Sequence, residues 1–436
     1  MKEEWHPCMH EISDELCVTK CLVNLRKKDS GRFHSPGHKG RGHFLAEILD
    51  IRCDEKNVVE AEKTVNGLKN TLSSRYGAKK CFVGNFGMAQ AAIYAVKAVA
   101  SYGKIALLRN SPEYIFAALA FLNIEPIIIG ADFSDEEIRA CVNYAAAVII
   151  SSPDIIFGEE KNEILFSEAK SSNKKVCVFS DYGGHFVFSE KLPKDYKERC
   201  DIAVYALDNV LPCFAGSVAT FAYTDDIAEK LSLFPYGIDM QTAMSVEYGV
   251  YAYDKYKDAI DELEKNVTLM KKTLVSSDFV LKDSVFTFLI VDTKAMEISG
   301  KELEMRLNDM GIYVEYADAE KVVFLFTTED EKEEITHLTT SLIIAAEQCG
   351  QVSEKAYKSV GTLERAAAYT VAFYGNGEYV DLENAKGRIA AQNVWLFGIN
   401  SPVILAGEKI TERAVEYLES PLDFVGTERD RIKVLK

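Results

Sequence analysis

The strongest constraint on how this chain folds is a regular alternation, from Asn57 to about Ala222, of helical periodicity with short, almost wholly apolar runs. The runs are Cys81–Val83, Ile105–Leu108, Pro126–Ile129, Ala147–Ser151, Lys175–Ser180, Ile202–Tyr205 and Ser217–Phe221. Parallel strands cannot be joined by tight turns and need crossover helices, so strands alternating with helices over this length predict a mostly parallel sheet covered on both faces. The expected fold class is therefore α/β, with a seven-stranded large domain over residues 57–277.

The Met240–Leu274 stretch has no Pro and almost no Gly after Gly249, which predicts a helix leaving that domain. A second unit, expected over 278–349, reads as strand Val285–Val291, helix Gly300–Asn308, strands Ile312–Tyr316 and Lys321–Thr327, and helix Glu329–Gln348, a small α/β sandwich. A polar link at Gly350–Thr362 opens the last expected segment, 350–436, with a further helix predicted from about Leu382 to Asn393. Residues 1–56 form an amino-terminal arm. No internal repeat or low-complexity tract interrupts this plan.

With 48% hydrophobic residues in 436 positions, the chain has ample material for large cores. Fifty Lys and Arg against 67 Asp and Glu give a net charge of −17, so no nucleic acid or anionic-lipid partner is expected. The amino-terminal MKEEWHPCMHEISDE has no apolar signal region, and the longest apolar stretches are too short to span a bilayer. The expectation is a soluble, cytoplasmic protein with no membrane partner. Ten scattered cysteines without a CxxC pair read as reduced, mostly buried thiols. His34, His38 and His43 with Cys53 match no standard zinc spacing, so no metal is expected.

Five separated stretches, in order, resemble the bacterial ornithine/lysine/arginine decarboxylase family. Phe33-His34-Ser35-Pro36-Gly37-His38-Lys39-Gly40 is similar to the family's amino-terminal TPGHKGG signature. Ser74–Ala78 with Phe82–Gln90 resembles A-x-x-[FY]-G-A followed by F-x-x-N-G-T-S, and Leu108-Arg109-Asn110 resembles the RN-x-H-K-S strand end. Ser180-Asp181 and Asp201–Ser217 resemble D-x-A-H and D-x-x-x-x-S-x-H-K-x-L with T-Q-x-S. Val380–Gln392 and Ser401–Glu408 resemble V-x-L-x-x-A-x-G-R-x-[SA]-A and P-x-x-x-P-G-E. The resemblance spans nearly the whole chain and implies the fold-type I architecture of pyridoxal-phosphate (PLP) enzymes.

The resemblance also implies which cofactor contacts this sequence has replaced. PLP enzymes need a lysine amine as covalent anchor and proton carrier. Counting along the motif from Asp201 puts Ala206 at the phosphate-binding serine, Asp208 at the histidine and Asn209 at the lysine, while Leu211 and Ser217 still match. A carboxamide nitrogen has a delocalised lone pair and cannot form the imine. The phosphate cup aligns with Gly84-Asn85-Phe86-Gly87, where both hydroxyl residues are gone. The ring-stacking histidine is Pro112, and the D-x-A-H histidine falls at Gly184 with His185 one place late; Asp181 alone stays where it would pair with a pyridine nitrogen. Charge-assisted hydrogen bonds contribute on the order of 1.5–3 kcal/mol each, so losing about three weakens phosphate binding by several powers of ten.

The remaining landmarks have plain readings beside the functional ones. Gly37, Gly40, Gly77 and Gly387 supply turns or sites equally well. His34, His38 and Lys39 lie where the family's arm approaches the partner subunit, although a short basic loop is more often simply solvated. Arg109 and Asn110 end a strand, where fixing a loop is favoured over a site role. The preferred reading is a catalytically inactive paralogue with no cofactor expected, at least a homodimer, able to pair with an active decarboxylase paralogue. Its vestigial pocket comprises Asp181, Asn209, Phe86, Gly87, Ala206, Pro112 and Ser217. Two alternatives stay open: an active PLP-dependent decarboxylase of a basic amino acid with an unconventional site, and a sensor of an amino acid, a polyamine or an anion.

Overall fold

The computed structural model describes residues 31–33, 58–130, 132–152, 160–182, 200–238, 242–243, 245–247, 249–250, 257–352, 360–361, 363–396, 401–420, 424–427 and 430–436. After a short strand, β1 (Gly31–Phe33), and helix α1 (Val58–Arg75), strands and helices alternate. They are β2 (Lys80–Gly84), α2 (Gly87–Ala100), β3 (Ile105–Leu108), α3 (Glu113–Phe121), β4 (Ile127–Ile129), α4 (Asp135–Tyr144), β5 (Ala147–Ser151), α5 (Glu160–Ser171), β6 (Lys175–Ser180), β7 (Ile202–Ala206) and β8 (Val218–Ala222).

All seven expected strands join one seven-stranded sheet in the order β2-β8-β7-β6-β5-β3-β4. β4, β3, β5, β6 and β7 pair in parallel, while β8 runs antiparallel to both β7 and β2. Successive side chains of a strand point to opposite faces, and the core divides accordingly. Ala106, Leu108, Val148, Ile150, Val176 and Val178 pack on one face against α1, α4 and α5. Ile105, Leu107, Ala147, Ile149, Cys177 and Phe179 pack on the other against α2 and α3. With both faces covered, the strands carry apolar residues at nearly every position, which made them legible as unbroken runs.

Helix α6 (Asp225–Leu231) follows β8, and the long helix α7 spans Lys257–Ser276. Part of the predicted 240–274 helix, residues 240, 241, 244, 248 and 251–256, lies outside the described residues. The second unit contains β9 (Leu281–Lys282), β10 (Phe288–Val291), α8 (Gly300–Asp309), β11 (Ile312–Val314), β12 (Tyr316–Ala317), β13 (Val322–Leu325) and α9 (Lys332–Glu347). Its antiparallel sheet has the order β12-β13-β10-β9, and β11 pairs in parallel with β1. Helices α7, α8 and α9 share one core with this sheet, centred on Leu303, Phe324 and Leu338.

The carboxy-terminal segment corrects the expectation of a helical end. Short helices α10 (Tyr369–Tyr374) and α11 (Glu412–Leu418) accompany five strands: β14 (Gly377–Asp381), β15 (Val394–Leu396), β16 (Ser401–Ile404), β17 (Phe424–Val425) and β18 (Arg431–Leu435). The helix predicted over 382–393 is a single 3₁₀ turn, Leu382–Asn384. Leu382, Ala385, Ile389 and Ala390 recur at helical spacing, but Gly387 turns the chain with φ +81° and its N–H donates to the Ile410 carbonyl at 2.8 Å. Ile389 and Ala390 then bridge to Lys409 and Val434, so pairing with neighbouring chain outweighs the local periodicity. Among the described residues, no helix is long and apolar enough to cross a membrane.

Candidate functional site

Register places the residues singled out from the sequence at one edge of the large sheet. Gly84 pairs with Val218, Val218 with Ala206, and Tyr205 with Ser180, so the carboxyl ends of β2, β6 and β7 and the start of β8 share that edge. Ala206 closes β7 and Ser217 directly precedes β8, while Phe86, Gly87, Asp181 and Asn209 lie shortly beyond the ends of β2, β6 and β7. Pro112 lies beyond the end of β3, where it caps α3 with φ −59° and ψ 154°. A proline suits a helix start because no N–H is required of it there.

At position 209 the side chain is engaged in a hydrogen bond to the main chain. The Asn209 carboxamide donates through Nδ2 to the main-chain carbonyl of Asp181 at 2.6 Å. The turn that carries it is closed by Leu207 N–H donating to Ser217 O at 2.9 Å and Gly216 N–H donating to the Asp208 carboxylate at 2.7 Å. The Ser217 hydroxyl donates to Phe214 O at 2.6 Å. At the start of α2, the Gly87 N–H is taken by Gly216 O at 3.0 Å, with Gly87 at φ +69°. The Phe86 ring folds back over Gly84, where an added β-carbon would lie 1.7 Å from its Cε1. That ring continues an aromatic cluster with Tyr94 and Tyr236, at centroid distances of 5.9 and 5.7 Å.

The site is acidic. Burial pushes the Asp181 carboxyl up to about 6; the Tyr114 hydroxyl opposes this, and the negative charges of Glu315 and Asp208 add to it. Asp208 is also raised, chiefly by burial, against three main-chain N–H groups, those of Gly216, Asp208 and Asn209. Tyr182, the next residue after Asp181, donates its hydroxyl to Glu315 Oε1 at 2.8 Å and packs edge-on against Phe288, 5.0 Å between centroids at 85°. Between β3 and β5, where the strand order reverses, a small recess of about 10 Å³ is lined by Leu108, Asn110, Ser111, Ile149, Ser151 and Asn162. Such reversals are where open α/β sheets place ligands.

No family model matches the chain. It is 23% identical to an arginine decarboxylase of Bacillus subtilis (strain 168), over 93% of this chain and 94% of that protein. The constitutive lysine decarboxylase of E. coli superposes with a TM-score of 0.65 at 13% identity, over 96% of this chain and 81% of the other. A serine palmitoyltransferase solved with PLP superposes with a TM-score of 0.55 at 12% identity, over 77% of this chain and 97% of the other. The chain is related to the ornithine/lysine/arginine decarboxylases. Its fold is the fold-type I architecture of PLP-dependent decarboxylases and transferases.

Two landmarks of this decarboxylase-like chain meet just beyond the end of β3. Arg109 forms a bidentate pair with Glu408, Nε to Oε1 at 2.6 Å and Nη2 to Oε2 at 2.7 Å, and also donates to the carbonyls of Pro402 and Val403. Glu408 is 2% exposed and accepts a third bond from Leu405 N–H at 2.8 Å. Gly407 has φ +89°, and a β-carbon there would approach Ala367 O to 2.4 Å. Arg109 thus ties the end of β3 to the carboxy-terminal segment. Gly77, at φ +64°, turns the chain just after α1.

His34, Gly37, His38, Lys39, Gly40, His43, Cys53, Gly184 and His185 lie outside the described residues. β1 nevertheless brings the chain to Phe33, paired with Val314, one residue before Glu315. Sequence reasoning passed over Tyr114, Tyr182 and Glu315 as site residues. Tyr114 sits two residues beyond Pro112 and Tyr182 directly follows Asp181, so both were within reach of the motifs. Glu315 comes from the second unit, and nothing in its local sequence points to the large sheet.

Proposed function

We propose that this chain is a catalytically inactive paralogue of a basic amino acid decarboxylase, acting as a structural or regulatory subunit of at least a dimer. The observation that carries the reading is the Asn209 carboxamide, which stands where the family has its lysine and is bonded to the Asp181 carbonyl. The surrounding residues do not fit PLP held through a lysine. The Gly87 N–H, a donor a phosphate would need, is bonded to Gly216. Ala206 has no hydroxyl, Phe86 is packed into an aromatic cluster, and Asp181, Asp208 and Glu315 make the edge unfavourable for a dianion.

Two further readings each have one supporting observation. Asp181 holds its place at the end of β6, which favours an active PLP-dependent decarboxylase with an unconventional site. The three neighbouring carboxylates favour a sensor of a cationic amino acid or polyamine, because a cation would relieve their mutual repulsion. The test is a titration of the purified protein with PLP, followed by absorbance and by carbon dioxide release from ornithine, lysine and arginine. The proposal expects neither a new cofactor band nor gas; either one would favour the active reading.

A further inference from the structure

We propose that Tyr182 is a latch through which the cleft at position 209 sets the seat of the second unit on the large sheet. The ladder between β6 and β7 ends at the pair Ser180–Tyr205, so among the described residues that ladder does not reach Asp181. The carbonyl of Asp181 is held instead by Asn209 Nδ2 at 2.6 Å. That carbonyl belongs to the same planar peptide as the nitrogen of Tyr182, and the plane runs on to the Tyr182 Cα. Fixing one end of the plane fixes where the Tyr182 side chain starts.

From there Tyr182 crosses to the other unit. Its ring packs both against the large-sheet core and against the buried face formed by Phe288, Ile290, Tyr316, Val323 and Leu325. Its hydroxyl ends on Glu315, which sits between β11 and β12 and donates its own N–H to Val323 O at 3.0 Å. A continuous set of contacts therefore runs from the β7–β8 turn to the second sheet. An occupant of the cleft that draws the Asn209 amide away from Asp181 releases the peptide, loosens Tyr182 and frees the second unit to shift. This coupling does not depend on whether the cleft is catalytic.

Hydrogen exchange of the full-length chain, read by mass spectrometry at neutral pH, tests the latch. Tyr182→Phe keeps the ring and removes the hydroxyl that donates to a charged acceptor. Exchange in 288–291 and 312–317 should speed by roughly tenfold or more, while 80–84 and 218–222 keep wild-type rates. Asn209→Ala should accelerate the same second-unit segments, although Asn209 bonds to Asp181 and not to them. The double variant should be no faster than the faster single variant, because both act through one path. Glu315→Gln retains an acceptor oxygen but loses its charge and should fall between wild type and Tyr182→Phe, whereas Glu315→Ala should match Tyr182→Phe. The proposal is overturned if Asn209→Ala changes only segments around 181 and 207–211, or if the two single effects multiply in the double variant.

Discussion

Replacing Glu408 by alanine should unfold the junction between β3 and the carboxy-terminal segment at markedly lower denaturant. The wild-type carboxylate is 2% exposed and accepts from Arg109 Nε, Arg109 Nη2 and Leu405 N–H at 2.6, 2.7 and 2.8 Å. Alanine leaves the Arg109 guanidinium recessed without its counter-charge and leaves the Leu405 N–H without its acceptor. Arg365 faces the same carboxylate, so removing Glu408 also leaves the mutual repulsion of the Arg109 and Arg365 guanidinium groups less compensated, with Glu125 still acting on Arg365. Arg109 keeps the carbonyls of Pro402 and Val403, which offset part of the loss. Breaking one side of a buried pair costs about 3–5 kcal/mol, and these opposing features place the expected loss near the middle of that range. A whole domain is stable by only about 5–15 kcal/mol, so the effect is large on that scale. Urea unfolding followed by circular dichroism and by fluorescence, to which the buried Trp395 contributes, measures it. The double variant Arg109→Met/Glu408→Leu removes both charges and should regain much of the difference. A loss under about 1 kcal/mol for Glu408→Ala, or a double variant as unstable as the single one, would refute the clamp.

Asp181 should make stability fall as pH rises. Its folded carboxyl is raised from 3.8 to about 6, so its favourable contribution is complete below about 3.8 and is lost as pH climbs through about 6. The difference corresponds to at most about 3 kcal/mol. Unfolding curves between pH 4 and 7 should show wild type losing stability relative to Asp181→Asn, and parallel curves would count against the acidic cleft. Light scattering at micromolar concentration should give at least a dimer mass, since an interface built as in fold relatives would leave the monomer poorly stable; a monomer mass would remove the subunit reading.

Much of the fold was legible because its strands are buried on both faces. Ile105–Leu108 and Ala147–Ser151 needed no pairing information to be recognised as strands, and their boundaries in the structure are those read from the chain. The stretch 382–393 was misread because its apolar residues lie at helical spacing, and what overrides them is distant: Gly387 donates to Ile410, and Ala390 bridges Val434. The same limit applies to the site. Counting along a motif singled out position 209 and its neighbours, but the partner of Asn209 is a main-chain carbonyl at the end of another strand. Glu315 reaches the edge only because β11 and β12 pack beside it, a contact without periodicity or motif. Arg109 and Glu408 are both landmarks of the resemblance, yet their meeting across 299 positions belongs to the fold and not to either motif.

On the proposed reading the whole pocket, rather than one residue, departs from a PLP site. Its most direct test is Asn209→Lys alone, purified with PLP, with one portion reduced by borohydride to trap any adduct and a separate, unreduced portion assayed for carbon dioxide release from ornithine, lysine and arginine, circular dichroism confirming that the variant is folded. The expected result is a folded protein without turnover, because Phe86, Ala206 and Pro112 still lack the phosphate and ring contacts that the resemblance assigns to those positions. A folded, PLP-loaded variant that releases carbon dioxide from any of the three amino acids would contradict it.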